Sequence, residues 1–303
     1  MSDYLAIIKE AYQNFAGYWW NEMTFSVSPW YVNYFWWLVL LSLVVWGLEI
    51  LFPWRKNQAI IRKDFWLDAF YMFFNFYVFA LIISGFYVIV ELAAQNFGYS
   101  TGALAIINVQ EMPTWLGLLI FFILNDLVQR FTHVLLHRYN WMWQFHKVHH
   151  SVEQMGFAAH LRYHWMENIF YKPLKTLVVM ILVGGEPSDA FIIHYFAITI
   201  GHLNHANLNW SYGPLKYIFN NPKMHIWHHA YSLPDERSKG VNFGISLSIW
   251  DYIFRTSYIP ESGRDIKLGF TCISKFPDSF LKQAVYGFVP DKEDSEGAES
   301  VAH

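Results

Sequence analysis

The segment from Trp30 to Phe52 constrains this chain more than any other part of its sequence. It is 23 residues long, and Asn33 and Glu49 are its strongly polar interruptions. At 1.5 Å per residue, an α-helix of this length crosses a hydrocarbon core of about 30 Å. Charged residues make up 15% of the 303 residues, whereas soluble domains carry roughly 25%. We therefore predict an all-α membrane protein.

Further apolar stretches predict about four to five membrane-embedded helices in total. A second span runs from about residue 66 to residue 92, and a third helix starts near Thr114 with an apolar half. Residues 169–183 and 190–200 form a predicted apolar hairpin. The predicted organisation is an amphipathic N-terminal segment over 1–29, two transmembrane helices over 30–112, a histidine-rich domain with the hairpin over 113–290, and a disordered acidic tail over 291–303.

The basic residues orient these segments. Twenty of the 21 Lys and Arg residues lie on the side shared by the 55–63 loop, residues 130–175 and the C-terminal third, and Lys9 is the exception. The positive-inside rule then predicts an outside N-terminus and cytoplasmic histidine-bearing segments. We expect a multi-pass protein of a bacterial plasma membrane. The net charge of −3 predicts no nucleic-acid partner, and a single cysteine, Cys272, excludes a disulfide framework and an iron–sulfur cluster.

Fourteen histidines stand out in a chain this poor in charge. A pair lies four residues apart at 133 and 137, and an HxxHH motif occurs at 146–150 and again at 225–229. On a helix, each of these spacings places the rings on one face. A further histidine ends the predicted helix that returns from the membrane at residue 205. The candidate metal ligands are therefore His133, His137, His146, His149, His150, His205, His225, His228 and His229.

So many clustered imidazoles indicate metal binding. Protonated rings would repel one another, whereas neutral rings that bind a metal avoid this repulsion. Nine candidates exceed the four ligands of a zinc ion, so they suit two metal ions with four or five nitrogens each. Imidazole ligands accept zinc, copper, iron or nickel, and ligand type alone does not choose among these metals. We therefore expect a cytoplasmic helical cap that holds a di-metal histidine site.

These motifs resemble the histidine boxes of the fatty acid hydroxylase / sterol desaturase superfamily. The resemblance covers about residues 125–256, and the segment from 205 to 229 is closest to the alkylglycerol mono-oxygenase-like branch. Two positions depart from the family pattern, since Gly240 stands where an Asp is frequent and Arg255 where a Gly is frequent. The residues that carry the resemblance are His133-Val-Leu-Leu-His137, His146-Lys-Val-His149-His150, His225-Ile-Trp-His228-His229, Arg162-Tyr163-His164, Gly213-Pro214-Leu215, Asn242-Phe243-Gly244 and Trp250-Asp251-Tyr252-Ile253-Phe254.

The resemblance implies a membrane di-iron enzyme that uses O₂ to hydroxylate or desaturate a lipid alkyl chain. It implies two iron ions, which zinc can replace in purified protein, and a separate electron donor such as a cytochrome, a ferredoxin or a pterin. The nine histidines match the family's ligand positions, and no catalytic residue beyond the metal site is implied. Four further residues are candidates either for a ligand or for a group that orients one: His164, His160, His202 and Asp126.

Several interpretations stay open at this point. Desaturation and cleavage of an ether lipid are alternatives to hydroxylation within the same family. A metal-transporting membrane protein and a membrane-bound metal hydrolase are alternatives from other classes. We also expect a tunnel through which a lipid tail reaches the metals without crossing water. The predicted aromatic wall of this tunnel comprises Trp141, Trp143, Phe145, Phe157, Trp165 and Trp227.

Overall fold

A computed structural model describes residues 2–27, 29–96, 105–169, 171, 179, 182–184 and 187–288. This described part contains helices and isolated β-bridges but no strand, so the predicted all-α class is confirmed. The predicted tail and most of the first hairpin arm lie outside the described residues. We number the α-helices α1 Ser2–Met23, α2 Tyr34–Leu51, α3 Phe65–Phe73, α4 Phe79–Asn96, α5 Thr114–Arg138, α6 Asn140–His150, α7 Pro187–His205, α8 Pro222–His228, α9 Ile249–Ile253 and α10 Phe280–Val285.

Three helical segments in the described part are long and apolar enough to cross a membrane. They are α2, residues Phe65–Ile82 in α3 and α4, and α5. Their lengths of 18, 18 and 25 residues suit a hydrocarbon core of about 30 Å. The second arm of the predicted hairpin falls within α7. The chain is therefore a helical membrane protein, as its sequence predicts.

The second span changes its winding in the middle. A π-turn over Phe74–Val78 joins α3 to α4. Asn75 in this turn is buried, and its side-chain amide donates to the carbonyls of Leu161 at 3.3 Å and Tyr163 at 2.9 Å. The π-turn thus presents a polar side chain from an apolar helix and fastens the segment that follows α6.

The N-terminal helix α1 packs against the spans. The Tyr12 hydroxyl donates to the carbonyl of Ile82 in α4 at 3.0 Å. Near the end of α1, the carboxylate of Glu22 accepts a hydrogen bond from the backbone N–H of Phe35, at 2.6 Å, in the first turn of α2. This bond satisfies one of the N–H groups that a helix N-terminus leaves free. α1 is therefore tied to both of the first two spans.

The C-terminal ends of α2 and α7 meet around the short helical turn Phe157–Leu161. The Glu49 carboxylate near the end of α2 accepts from the backbone N–H groups of Phe157 at 2.9 Å and Asn207 at 2.7 Å. α7 approaches the same turn closely because Gly201 has no side chain. A Cβ atom at Gly201 would lie 2.1 Å from Nε2 of His160. These contacts fix the loops that follow α6 and α7.

We predict that Gly201→Ala destabilises the protein, because the added methyl group collides with the His160 ring. Overpacking a tight interface costs about 1–3 kcal/mol. Thermal unfolding of the detergent-purified variant should therefore show a lower midpoint than the wild type. Gly47→Ala in α2 is the matched control, since a Cβ there meets nothing within 4 Å. Equal midpoints for the two variants would contradict the close approach of α7.

Candidate metal centre

The structure brings the nine predicted histidines together in two adjacent groups. Within each group, the candidate ligand nitrogens lie within 4.8 Å of one another, and all the side chains except that of His137 are buried. The first group comprises His133, His137, His146, His150 and His228, and the second comprises His149, His205, His225 and His229.

Each HxxHH motif contributes to both groups. In α6, residues i and i+4 of the motif belong to the first group and residue i+3 belongs to the second. In the second motif, which lies in α8 and the residue after it, residues i and i+4 belong to the second group and residue i+3 belongs to the first. The two groups meet where the rings of His150 and His229 stack with centroids 4.4 Å apart. α5 completes the first group, and the last residue of α7, His205, completes the second.

Hydrogen bonds from Nδ1 to backbone carbonyls orient four of the nine rings. Because a carbonyl only accepts, each of these Nδ1 atoms carries the ring hydrogen and each Nε2 keeps its lone pair. In the first group, Nδ1 of His146 also faces the Glu167 carboxylate at 3.2 Å. The four carbonyl pairs are His133–Phe243 at 2.9 Å, His149–Arg162 at 3.1 Å, His205–Gly201 at 2.8 Å and His228–Val241 at 2.8 Å.

The Nε2 atoms point into the groups without partners that satisfy them. In the first group, Nε2 of all five histidines is buried and has no hydrogen-bond partner among the described residues. In the second group, Nε2 of His205 lies 3.4 Å from Nε2 of His149 and 3.0 Å from Nε2 of His225. Buried unpaired acceptors are costly, and facing lone pairs repel. A bound cation removes both penalties, so these residues fit a metal centre.

Burial keeps the imidazoles in the neutral form that binds a metal. The pKa values of His225, His228 and His229 are well below the usual 6.5, because burial penalises the charged ring and the neighbouring histidines repel it. These rings are therefore neutral at physiological pH and release no proton when a metal binds.

A buried carboxylate holds the loop that orients His133 and His228. Asp251 accepts from the backbone N–H groups of Phe243 at 2.9 Å and Gly244 at 2.8 Å. Its Oδ1 also accepts from the Thr256 hydroxyl at 2.6 Å. These bonds fix the two carbonyls of this loop, at residues 241 and 243, that receive the ring hydrogens.

Asp126 fastens the next turn of the same loop to α5. Its carboxylate accepts from the backbone N–H groups of Ser246 at 2.9 Å and Leu247 at 3.2 Å, and from the indole N–H of Trp250 at 3.0 Å. All of these donors belong to the loop rather than to a histidine. Asp126, a candidate for a group that orients a ligand, therefore contacts this loop instead of a histidine.

A buried ion-pair cluster holds the carbonyl that orients His149. The Arg162 side chain is 1% exposed and pairs with Asp68 at 3.1 Å and Asp64 at 3.2 Å. Arg62 pairs with the same Asp68 carboxylate. The sequence analysis did not predict this cluster, although a carboxylate within an apolar span was the available signal.

His164 lies outside both groups and holds the C-terminal segment instead. Its Nε2 donates to the carbonyl of Ala284 at 2.9 Å, and its Nδ1 accepts from the backbone N–H of Met166 at 3.1 Å. Both ring nitrogens are thereby occupied, which leaves none for a metal. Trp165 donates to the same Ala284 carbonyl at 2.7 Å.

His160 and His202 also lie outside both groups. Nδ1 of His160 faces Nδ1 of His202 at 3.0 Å, and Nε2 of His202 faces the hydroxyl of Ser42 in α2 at 3.1 Å. The centroid of the His160 ring is 5.2 Å from that of His205. This pair therefore packs between the second group and the first span.

A cavity of about 130 Å³ adjoins the two groups. Five of the nine histidines line it, together with Phe76 and one face of α7 that includes Ala197 and Ile198. The predicted aromatic wall is wrong, because all six predicted residues are described and none of them lines this cavity. Phe157 and Trp227 instead belong to buried hydrophobic clusters. The cavity wall comes from α5, α7 and the segment after α6.

We predict that Asp251→Asn weakens metal binding, because its amide nitrogen cannot accept a hydrogen bond from a loop N–H group. The Phe243 carbonyl would then hold His133 less firmly, and changes behind a metal ligand typically cost about 10–100-fold in affinity. Competition with a chelator, followed by metal analysis, measures this loss. Asp265→Asn is the matched control, since that carboxylate is exposed and pairs with Arg264. The same affinity in both variants would contradict a role for Asp251 in holding the site.

Comparisons with known proteins agree with this geometry. Ornithine lipid hydroxylase OlsE of Rhizobium tropici is 32% identical over 157 residues, which are 52% of this chain and 45% of that protein. Alkylglycerol monooxygenase of Danio rerio is 32% identical over 44% of this chain and 28% of that protein. The corresponding enzyme of Caenorhabditis elegans is 28% identical over 49% and 29%. The chain therefore spans less than half the length of these curated relatives.

The family match falls on the part of the chain that builds the two groups. No solved structure matches this chain. Residues 118–256 match the family described as Fatty acid hydroxylase. This range runs from α5 to the residues just after α9 and contains all nine histidines. The resemblance drawn from the histidine motifs is thus confirmed over residues 118–256, where this chain matches that family.

Proposed function

We propose that this protein is a membrane-bound di-iron oxygenase that hydroxylates an alkyl chain of a lipid with O₂. The observation that carries the proposal is the pair of histidine groups beside a cavity that is lined in part by α5, a helix long and apolar enough to cross a membrane. The family and the names of the relatives support it, since one is named for ornithine lipid hydroxylation and the others for alkylglycerol monooxygenation.

The five and four nitrogens of the two groups suit one metal ion each. The first ion would be held by the histidines of α5, α6 and residue 228, and the second by His149, His205, His225 and His229. When bound, two iron ions would supply the redox chemistry that activates O₂. The separation of the ligands into two complete sets favours two ions over one.

The protein itself orients the candidate metal ligands, encloses the reacting carbon and selects the substrate. Nδ1 hydrogen bonds hold the rings so that their Nε2 atoms face inward, which keeps the ligands in place before metal binding. The cavity along α7 holds the alkyl chain next to the two groups and keeps water away from the reacting carbon. Overall, one oxygen atom of O₂ enters a C–H bond, and the other is reduced to water by two electrons and two protons.

We further propose that the electrons come from a separate donor, namely a cytochrome, a ferredoxin or a pterin. The basic loop after α2 and the histidine groups lie at the same ends of the spans, so the positive-inside rule supports a cytoplasmic active site in a bacterial plasma membrane. The lipid substrate would enter from the bilayer, because α5 and α7 both contribute to the cavity wall.

Cleavage of an ether lipid is a second candidate. The alkylglycerol monooxygenase relatives favour it specifically. Hydroxylation of the carbon next to an ether oxygen gives a hemiacetal that separates into an aldehyde and an alcohol, so both candidates share the same oxygen insertion. The product that forms from an ether lipid distinguishes them.

We predict that detergent-purified protein, loaded with Fe(II), binds about two iron ions per chain and transfers labelled oxygen from O₂ to a lipid in the presence of a reductant. Metal analysis and Mössbauer spectroscopy test the first part, and mass spectrometry of extracted lipids tests the second. His149→Ala should lose iron and activity, because it removes a ligand of the second group.

The matched control is His303→Ala, which changes a histidine that is not among the nine. Zinc alone in the purified protein calls for reconstitution with iron before the assay. No stoichiometric metal after reconstitution, or the same iron content in the two variants, would overturn the oxygenase proposal.

A further inference from the structure

Three residues that line the cavity each carry a buried acceptor oxygen without a partner among the described residues. These oxygens are Oε1 of Glu167, Oδ1 of Asn168 and Oδ1 of Asn204, and none of them has a hydrogen-bond partner in the part of the chain that the structure describes. Their residues are 8%, 2% and 2% exposed, and all three line the cavity that adjoins the histidine groups. Buried acceptors are normally satisfied, so three unsatisfied ones around one cavity require an explanation.

The orientation of Asn204 is fixed by its surroundings. Its Nδ2 donates to the backbone carbonyl of Ile245 at 2.8 Å. A carbonyl oxygen accepts only, so the amide cannot be reversed without bringing two acceptors together. The Oδ1 atom of Asn204 must therefore be the free end, and this residue directly precedes the candidate ligand His205.

The orientation of the Asn168 side-chain amide follows in the same way from its contact with Asn75. Nδ2 of Asn75 donates to the carbonyls of Leu161 and Tyr163, so Oδ1 of Asn75 is the atom that faces Asn168. Nδ2 of Asn168 donates to that oxygen at 3.0 Å. The Oδ1 atom of Asn168 is consequently left over, and it is an acceptor.

Glu167 supplies the third acceptor. One of its carboxylate oxygens faces Nδ1 of His146 at 3.2 Å, and the other is buried without a partner. Within the described residues no Lys or Arg forms an ion pair with it. The Glu167 carboxyl group thus contacts a candidate metal ligand through one oxygen, and its other oxygen has no partner among the described residues.

We propose that these three oxygens bind a hydrogen-bond-donating polar group of the substrate, such as a hydroxyl or an amine, beside the histidine groups. This inference rests on the proposed function and specifies its substrate class: a lipid with donor hydrogens close to the oxidised carbon. A site with unpaired acceptors rejects an analogue that lacks the donors, because the acceptors then stay buried and unsatisfied.

The rest of the cavity accommodates the alkyl chain of such a lipid. Ala197, Ile198 and Gly201 lie along one face of α7, and Phe76 lines the cavity with them. A substrate whose donor group contacts Glu167 and Asn204 places its nearest carbons at the histidine groups, while its tail follows α7. Carbons remote from the polar group lie farther from the metals.

A matched pair of probes tests the proposal. The first probe is 1-O-hexadecylglycerol, which has two hydroxyl donors, and the second is the same molecule with both hydroxyls methylated. Each is titrated into the full-length protein in lipid nanodiscs by calorimetry, so the readout is binding and requires no turnover. We expect the diol to bind at least about tenfold more tightly than its dimethyl ether.

Two variants should reduce this preference. Glu167→Gln replaces one acceptor oxygen by an NH₂ group of the same size, and Asn168→Leu removes an acceptor. Each should lower the preference for the diol by about tenfold and leave the affinity for the dimethyl ether unchanged. The matched controls are Glu153→Gln, at an exposed carboxylate, and Asn57→Leu, at an exposed amide. Both controls should keep the wild-type preference.

The outcomes separate this inference from the proposed function. Equal affinity of the wild type for the two probes, or variants that lower both affinities alike, would overturn the inference even if the protein is an active oxygenase. A preference for the diol that falls in both variants would support it, even in a protein that transfers no oxygen from O₂. In that case only the proposed oxygenase function would be overturned, and the inference about the substrate would stand.

Discussion

Hydrogen bonds from histidine Nδ1 atoms to backbone carbonyls determine the geometry on which the rest of the centre depends. A ring without such a bond can rotate and can carry its hydrogen on either nitrogen, whereas a ring that donates from Nδ1 presents a bare Nε2 in one direction. The acceptors lie on the 241–243 loop, at Arg162 and at Gly201. The helices therefore supply the ligands, and the segments between them decide where the ligands point.

Those segments are in turn held by buried carboxylates. Asp251 and Asp126 each accept several hydrogen bonds from one loop, and Asp68 pairs with two arginines behind the turn that precedes residue 162. Burying a charge is expensive unless it is paired and hydrogen-bonded. The buried carboxylates of this chain thus hold the segments whose backbone carbonyls orient the histidine rings.

Local periodicity explains which features could be predicted from the sequence. The spans and the one-sided histidine motifs depend on repeats of three to four residues, and these were visible without any tertiary contact.

The division of each HxxHH motif between two groups was not visible, because it depends on how α6 faces α8. For the same reason the sequence left the role of Asp126 open, because its partners lie in a loop about 120 residues further along the chain. His164 had the right residue type near the motifs, but its partner is Ala284 in the C-terminal segment. The prediction of an aromatic tunnel wall was wrong because the number of aromatic residues near the motifs does not determine which side chains face a cavity.

The sharing of each histidine motif between the two groups has a consequence for biosynthesis. Neither group is complete until α8 has been made, and the first group also needs α5, which is made long before it. A metal ion would therefore find its full ligand set only after residue 229 has been made and the helices that carry the ligands have packed together. Once bound, it connects segments that are distant in sequence and closes long loops, much as a cross-link would. Metal loading would then be a late step of assembly, and it would hold the helices in the arrangement they have already adopted.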